Sequence, residues 1–216
     1  MRLLITAGPT REPIDPVRFL SNRSSGRMGY ALAEAAHAAG HEVILISGPV
    51  TISPPSGIQI IRVETAREMY DAVRTHLPGC TAAIFSAAVA DYRPAHAATQ
   101  KIKKSATTLT LELERTEDIL GSVRSTFGFQ GFLVGFAAET ENLIPHAQDK
   151  LRRKGCDLII ANDVSQSGIG FDSLENEVTL CLPGGHSIPL PRQSKTALAR
   201  ELIAHISRLS SPHAPQ

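Results

Sequence analysis

The sequence predicts an α/β fold: a Rossmann-like, mostly parallel sheet with helices on both faces, plus a C-terminal hairpin. Three observations predict it. Short runs that are apolar throughout alternate with segments of helical periodicity, the pattern of strands covered on both faces. Those runs end in small or polar residues, "TAGPT", "SAAVAD", "GFAAET" and "AND", where a doubly wound sheet opens its ligand crevice. Near the C-terminus, Gly184-Gly185 separates two apolar segments, a hairpin signal.

The elements follow in order. "RLLITAG" is short and apolar and is ended by Gly8-Pro9, so it reads as a buried strand. The stretch after it is a long polar loop running through "SNRSSG". "GRMGYALAEAAHAAG" is alanine-rich and closes at Gly40, a helix with a glycine at its C-terminal end. "EVILIS", ended by Gly48-Pro49, and "IQIIRV" are the second and third strands. "AREMYDAVRTHL" is helical and stops at Pro78-Gly79. "AAIFSAAVA" is a fourth strand, and "TLTLELE" alternates strictly, which suggests a half-exposed strand. In "TEDILGSVRSTF", Thr116 is the expected N-cap, with Glu117 and Asp118 in the first turn. "FLVGFAA", "IPHAQDKLRRKG" and "DLIIAND" give strand, helix, strand, and "SKTALARELIAHISRL" is a final amphipathic helix.

With 216 residues and no linker-like interruption, the chain reads as one domain over 1–209, followed by a disordered tail, 210–216. A hydrophobic fraction of 42% suits a globular core. A net charge of +1 gives no field favouring nucleic acid or a membrane surface. Cys80, Cys156 and Cys181 fit neither a disulfide framework nor a metal site and read as buried thiols. The opening "MRLLITAG" is too short for a signal peptide, and no run is long enough to span a bilayer. A reducing, cytoplasmic setting is expected.

Four constellations carry candidate chemistry, each beside a plainer reading. Ser24, Ser25, Gly26 and Gly29 open a helix, where free N–H groups and the dipole suit phosphate; an ordinary serine cap with packing glycines has the same composition. It is not a G-x-G-x-x-G fingerprint. Arg11 and Arg18 precede it, as anion contacts or as solvated arginines. "SAAVADYRP" sets open strand-end alanines beside Asp91, for a base or ribose, or is simply a strand end and turn. "KIKK" (Lys101, Lys103, Lys104) is a lysine tip over a triphosphate or a solvated face. Lys150 and Lys154 share one helix face, near a C-terminus whose dipole they also suit. The eight histidines show no metal spacing, and no catalytic triad or paired carboxylate stands out.

Taken together, "TAGPTREPIDPVRFLSNRSSGRMG", "AAVADYRP", "KIKK", "GFAAET" and "LIIANDVS" resemble the bacterial phosphopantothenoylcysteine synthetase family, from about Arg2 to about Leu209. The resemblance implies a ligase of coenzyme A biosynthesis. The carboxylate of 4′-phosphopantothenate attacks the α-phosphate of CTP, with Mg²⁺, giving an acyl-cytidylate and pyrophosphate. The amine of L-cysteine then displaces CMP. In the family's pattern Asn22 acts at the acyl-nucleotide stage, Arg18 is functionally important, and Lys101 is needed for activation. Ser24, Ser25 and Gly26 match the substrate phosphate-binding turn. Phe85, Ser86, Ala87, Asp91, Lys101, Glu117, Asp118, Ile119, Leu120, Phe136, Lys150 and Lys154 match the nucleotide site. The metal ligands are not indicated. Many bacterial relatives have Asn-Pro-Asp where this chain has Thr116-Glu117-Asp118. The resemblance also implies a homodimer, with "TLTLELE" as candidate pairing strand; the family's flavin-dependent decarboxylase half has no counterpart in these residues, which leaves a separate decarboxylase partner open. Two other classes share the fold: a short-chain-type oxidoreductase, which needs a Tyr-x-x-x-Lys pair that Tyr30, Tyr70 and Tyr92 lack, and a non-catalytic nucleotide-binding module.

Overall fold

The computed structural model of the chain describes residues 1–104, 107–163 and 173–211. Its strands are β1 (Arg2–Ala7), β2 (Arg11–Asp15), β3 (Arg18–Ser21), β4 (Glu42–Ser47), β5 (Gln59–Arg62) and β6 (Ala82–Phe85). They continue with β7 (Tyr92–Pro94), β8 (Leu113–Arg115), β9 (Phe132–Glu139), β10 (Leu158–Asp163), β11 (Glu175–Cys181) and β12 (Ser187–Ser194). The helices are α1 (Arg27–Ala38), α2 (Ala66–His76), α3 (Ile119–Ser125), α4 (Leu143–Lys154) and α5 (Lys195–Leu209). One eight-stranded sheet runs in the order β12-β11-β10-β9-β6-β1-β4-β5. The pairs from β5 to β10 are parallel, and the C-terminal hairpin β11–β12 is added antiparallel.

The apolar strands divide their side chains between two cores. Leu3, Ile5, Val43, Leu45, Ile84 and Ile160 face one layer, where α1 and α5 contribute Leu32, Leu198, Leu202 and Ile206. Leu4, Ile44, Ile46, Phe85 and Ile159 face the other, against Met69 and Val73 of α2, Val123 of α3 and Leu151 of α4. The period of two in the strands therefore fills both faces, which is why these runs carry no polar alternation. Burial pushes the Cys156 thiol up to about 12 and raises Cys80 and Cys181 as well, so all three are poor thiolates.

The chain runs outward from β1 to β4 and β5, then returns to place β6 on the other side of β1. That reversal is the topological switch, and it opens beyond the carboxyl ends of β1 and β6. The two segments continue side by side past the sheet. Pro9 bridges Ala88, Thr10 N–H donates to the Ala88 carbonyl at 3.3 Å, and Ala90 N–H donates to the buried Thr10 hydroxyl at 3.0 Å.

Three expectations need correction. The long polar loop contains the antiparallel hairpin β2–β3, turned by Asp15-Pro16. The Asp15 side chain accepts from Val17 and Arg18 N–H at 2.9 Å each, an Asx-type turn. Thr116 does not cap α3. Asp118 does, accepting from Gly121 N–H at 2.9 Å, because the Thr116 hydroxyl donates instead to the Ala90 carbonyl at 2.6 Å. Of "TLTLELE", only the end is strand: Leu113–Arg115 pairs with Tyr92–Pro94 in a small separate sheet. At the C-terminus, Ser210 and Ser211 bond back to the last turn of α5, and the rest of the expected tail, 212–216, lies outside the described residues, as do Val164 and Ser165 of the last motif.

Candidate functional site

A cleft of about 750 Å³ lies at the carboxyl ends of β6 and β9, walled by the Arg115–Leu120 turn and by α4. Its floor is apolar, formed by Phe85, Ala87, Val89 and Phe136. Its rim is charged. Asp91, Glu117, Asp118, Ile119, Leu120, Lys150 and Lys154 also line it. The residues matched to the nucleotide thus gather around one cleft, with two exceptions. The Ser86 hydroxyl turns to the Thr6 carbonyl at 2.7 Å and is not part of the lining, and neither is Lys101.

Most charges on the rim are held in pairs. Glu117 accepts from Arg67 at 3.0 Å and from Arg93 at 3.0 Å. Burial opposes its ionisation, but these arginines outweigh that and lower its pKa. Asp118 behaves alike: burial is countered by the Lys154 ammonium and the Gly121 N–H, and the pKa falls. Burial lowers the pKa of Lys150, which donates to the Phe136 carbonyl at 2.7 Å and feels Glu139. Glu139 meets His146, and Asp149 meets Arg153. Two rim charges remain. Among the described residues, neither the Asp91 carboxylate nor the Arg115 guanidinium has a hydrogen-bond or ion-pair partner, although the Arg115 and Asp91 segments are joined by Thr116 N–H donating to the Asp91 carbonyl at 3.0 Å. Sequence reading missed Arg115. Its signal was faint, a single arginine ending an alternating run.

Beside the cleft lies the turn into α1. Gly26 has φ 74°, and a Cβ there would sit 2.6 Å from Val50 Cγ1, so only glycine fits. Gly26 N–H bonds the Ser24 hydroxyl at 3.3 Å. Ser25 lies between them at the helix start. Gly29 packs α1 onto the sheet, because a Cβ would lie 2.5 Å from Ala7 Cβ. The exposed Asn22 reaches across to the β6 extension, its amide donating to the Val89 carbonyl at 2.9 Å. That leaves its amide oxygen beside the strand ends as an acceptor.

The β2–β3 hairpin lies outside the cleft lining, next to the β1 and β6 extensions. Glu12, buried, accepts from Ala66 N–H at 2.8 Å and so fixes the hairpin to the start of α2. Arg11 lies over the Phe19 ring at 4.5 Å, which gives it a partner other than an anion. Arg18 is directed at Asp15 and at the Ile102 carbonyl, 2.9 Å away, between Lys101 and Lys103. Lys101, Lys103 and Lys104 themselves are exposed.

A doubly wound α/β domain with a nucleotide-sized cleft at the carboxyl ends of its central strands, beside a helix-start turn, is the class that fold and site define. Over residues 1–209 the chain matches, and it belongs to, the DNA/pantothenate metabolism flavoprotein C-terminal domain family. It is 48% identical over 209 residues to the coenzyme A biosynthesis bifunctional protein CoaBC of Vibrio vulnificus, covering 96% of this chain and 52% of that protein. With the CoaBC of Bacillus subtilis the identity is 47%, covering 96% and 51%. The chain therefore spans about half the length of the curated relatives it matches. A crystal structure of the C-terminal domain of CoaBC is similar with a TM-score of 0.80 and 44% identity, covering 95% of this chain and 93% of that one. No helix among the described residues is long and apolar enough to cross a membrane.

Proposed function

We propose that the chain is a phosphopantothenate–cysteine ligase that activates its carboxylate substrate with CTP. The observation that carries the reading is the convergence of the family's nucleotide motifs on one cleft, beside the Asn22 loop and the Gly26 turn. A carboxylate is a poor acyl donor until one oxygen becomes part of a good leaving group. Transfer of CMP from CTP supplies that: the carboxylate oxygen bonds to the α-phosphorus, the bond to the β-phosphate bridge breaks, and pyrophosphate leaves. The cysteine amine then adds to the acyl carbon, CMP departs, and the amine proton is released. Such chemistry asks for positioning and charge stabilisation rather than a protein nucleophile. In the same reading the Gly26 turn holds the substrate phosphate on the N–H groups that open α1.

Mg²⁺ fits this site as a passenger of the nucleotide. Among the described residues no three His, Cys, Asp or Glu side chains gather as a metal site. Mg²⁺ needs only one or two carboxylates besides phosphate oxygens and water, and Asp91 is a rim carboxylate that Lys150 feels without an ion-pair contact. The ion, when bound, neutralises triphosphate charge. The reading also carries a cytoplasmic setting, a decarboxylase partner and a homodimer. Support for the last is the exposed Val17, Phe19, Tyr92, Leu109 and Leu113, on and beside the two small two-stranded sheets β2–β3 and β7–β8.

Two outcomes test the reading. With phosphopantothenate and cysteine present, CTP is expected to give the amide product, and ATP and UTP much less. A purine must displace packed protein around Phe85, Ala87 and Phe136, and UTP leaves buried groups that suit cytosine unmatched, at about 1–3 kcal/mol each. Product mass for each nucleotide measures this, and equal efficiency with ATP would remove the selectivity. Arg115→Ala is expected to weaken CTP binding by about 1.5–3 kcal/mol, the range for a hydrogen bond to a charged group, and CMP binding less. Calorimetric titration with both nucleotides decides; an equal loss for CMP would take Arg115 off the triphosphate.

A further inference from the structure

Asp15 is buried to 3% relative exposure, and its carboxylate accepts from donors on both oxygens. Oδ1 accepts from Val17 and Arg18 N–H, at 2.9 Å each. Oδ2 accepts from Arg18 Nε at 2.9 Å and Nη2, and from Ile102 N–H at 3.1 Å. The last contact spans 87 residues and lands between Lys101 and Lys103. Arg18 closes the same link from the other side by donating to the Ile102 carbonyl at 2.9 Å. Nearby, Ala98 N–H donates to the Ile14 carbonyl at 2.9 Å. Both peptide groups of Ile102 are therefore fixed to the hairpin, and the hairpin is fixed to α2 through Glu12. The Arg18 guanidinium holds the Asp15 carboxyl well below the usual carboxylate range, so the link stays charged at any working pH.

We propose that Asp15 and Arg18 form a positioning clip that sets the height and direction of the Lys101 ammonium over the site. On this view Arg18 acts through Lys101 and need not touch substrate. The inference rests on the ligase reading for its activity test, but the contact itself is testable without it. Asp15→Asn is nearly isosteric, and its single carbonyl oxygen cannot serve both sets of donors; whichever way the amide turns, its NH₂ faces N–H groups. Misplacement of a reacting group by about 1 Å costs on the order of 10²-fold, so Asp15→Asn is expected to slow CTP-dependent pyrophosphate release by up to that factor. Arg18→Lys, which keeps the charge and the turn but loses the planar fork, is expected to act in the same direction.

The deciding experiment is a double-mutant cycle in the full chain. In a Lys101→Met background, Asp15→Asn and Arg18→Lys should add no more than about a twofold loss, because the side chain they position is gone. The same factor in both backgrounds would make the pair a general structural prop and overturn the proposal, as would a further loss for Arg18→Lys alone, which would mean contact with substrate. Amide hydrogen exchange on the same variants reads the clip independently: Ile102 should be protected in the wild type and lose protection in Asp15→Asn. If wild-type protein released no pyrophosphate, the ligase reading would fail while protection of Ile102 upheld the clip. An unprotected wild-type Ile102 amide would overturn it whatever the activity.

Discussion

Replacing Lys101 by methionine is expected to slow formation of the acyl-cytidylate about a hundred- to a thousandfold, the cost of removing one electrostatic donor from a transferring centre, roughly 2.7–4 kcal/mol. Methionine keeps the length and flexibility of the side chain and removes only the charge. Lys101 is exposed and Ile102 beside it is tethered by Asp15 and Arg18, so the loss should appear in rate and leave the fold intact. Lys103 and Lys104, also exposed, flank the tether on its far side and are expected to matter less. Single-turnover pyrophosphate release, with thermal melting as the control, measures the effect. Release at near wild-type rate would take Lys101 out of the activation step.

The second large effect is structural. Gly48→Ala is expected to destabilise the protein by about 3 kcal/mol, the upper range for overpacking, and to lower Tm on the order of 10 °C. A Cβ on Gly48 would lie 1.8 Å from the Pro9 carbonyl oxygen and 2.8 Å from its carbon. Both are backbone atoms, in the segment that bridges to Ala88, so neither can rotate away. Relief requires the strand ends to part. Gly8 and Gly26 are pressed against Val50 in the same nest, at 2.8 and 2.6 Å for their imagined Cβ atoms, so the turn into α1 should shift with it. A Tm within roughly 2 °C of wild type would show that this corner is looser than its geometry implies.

The parallel sheet was legible because its strands bury both faces and carry no competing pattern. Helix ends were legible where one residue type has one use: Ser194 caps α5 by accepting from Ala197 N–H at 3.2 Å, and Gly40, at φ 81°, follows α1. At α3 two acceptors, Thr116 and Asp118, stood two residues apart. The choice depended on Thr116 being pinned to Ala90 and Asp91, contacts made 25 or so residues away in the chain, which no local rule encodes. The β2–β3 hairpin was hidden by Pro13 and by strands of five and four residues, although Asp15-Pro16 is a turn signal. "TLTLELE" alternated, but a strand needs a partner, and only its last residues meet one.

The site was legible in composition and not in its electrostatics. Small strand ends pointed to the crevice, and the residues matched to the nucleotide, other than Ser86 and Lys101, line it. Which charges stay available was decided by pairing across the fold. Arg67 and Arg93 occupy Glu117 from 50 and 24 residues away. Lys154 takes Asp118, and Asp91 and Arg115 are left on the rim. The link from Asp15 to Ile102 spans 87 residues, so "DPVR" and "KIKK" gave no sign in the sequence that they act as one unit.

The central claim is activation through an acyl-cytidylate, and omitting cysteine tests it most directly. Protein incubated with phosphopantothenate, CTP and Mg²⁺ should release pyrophosphate and yield a species with the mass of phosphopantothenate joined to CMP through loss of water. Adding cysteine should consume that species and release one CMP for each amide formed. Release of CDP with a phosphoryl adduct instead, and of inorganic phosphate only once cysteine is added, would contradict the account, because the carboxylate would then have been activated at the γ-phosphate.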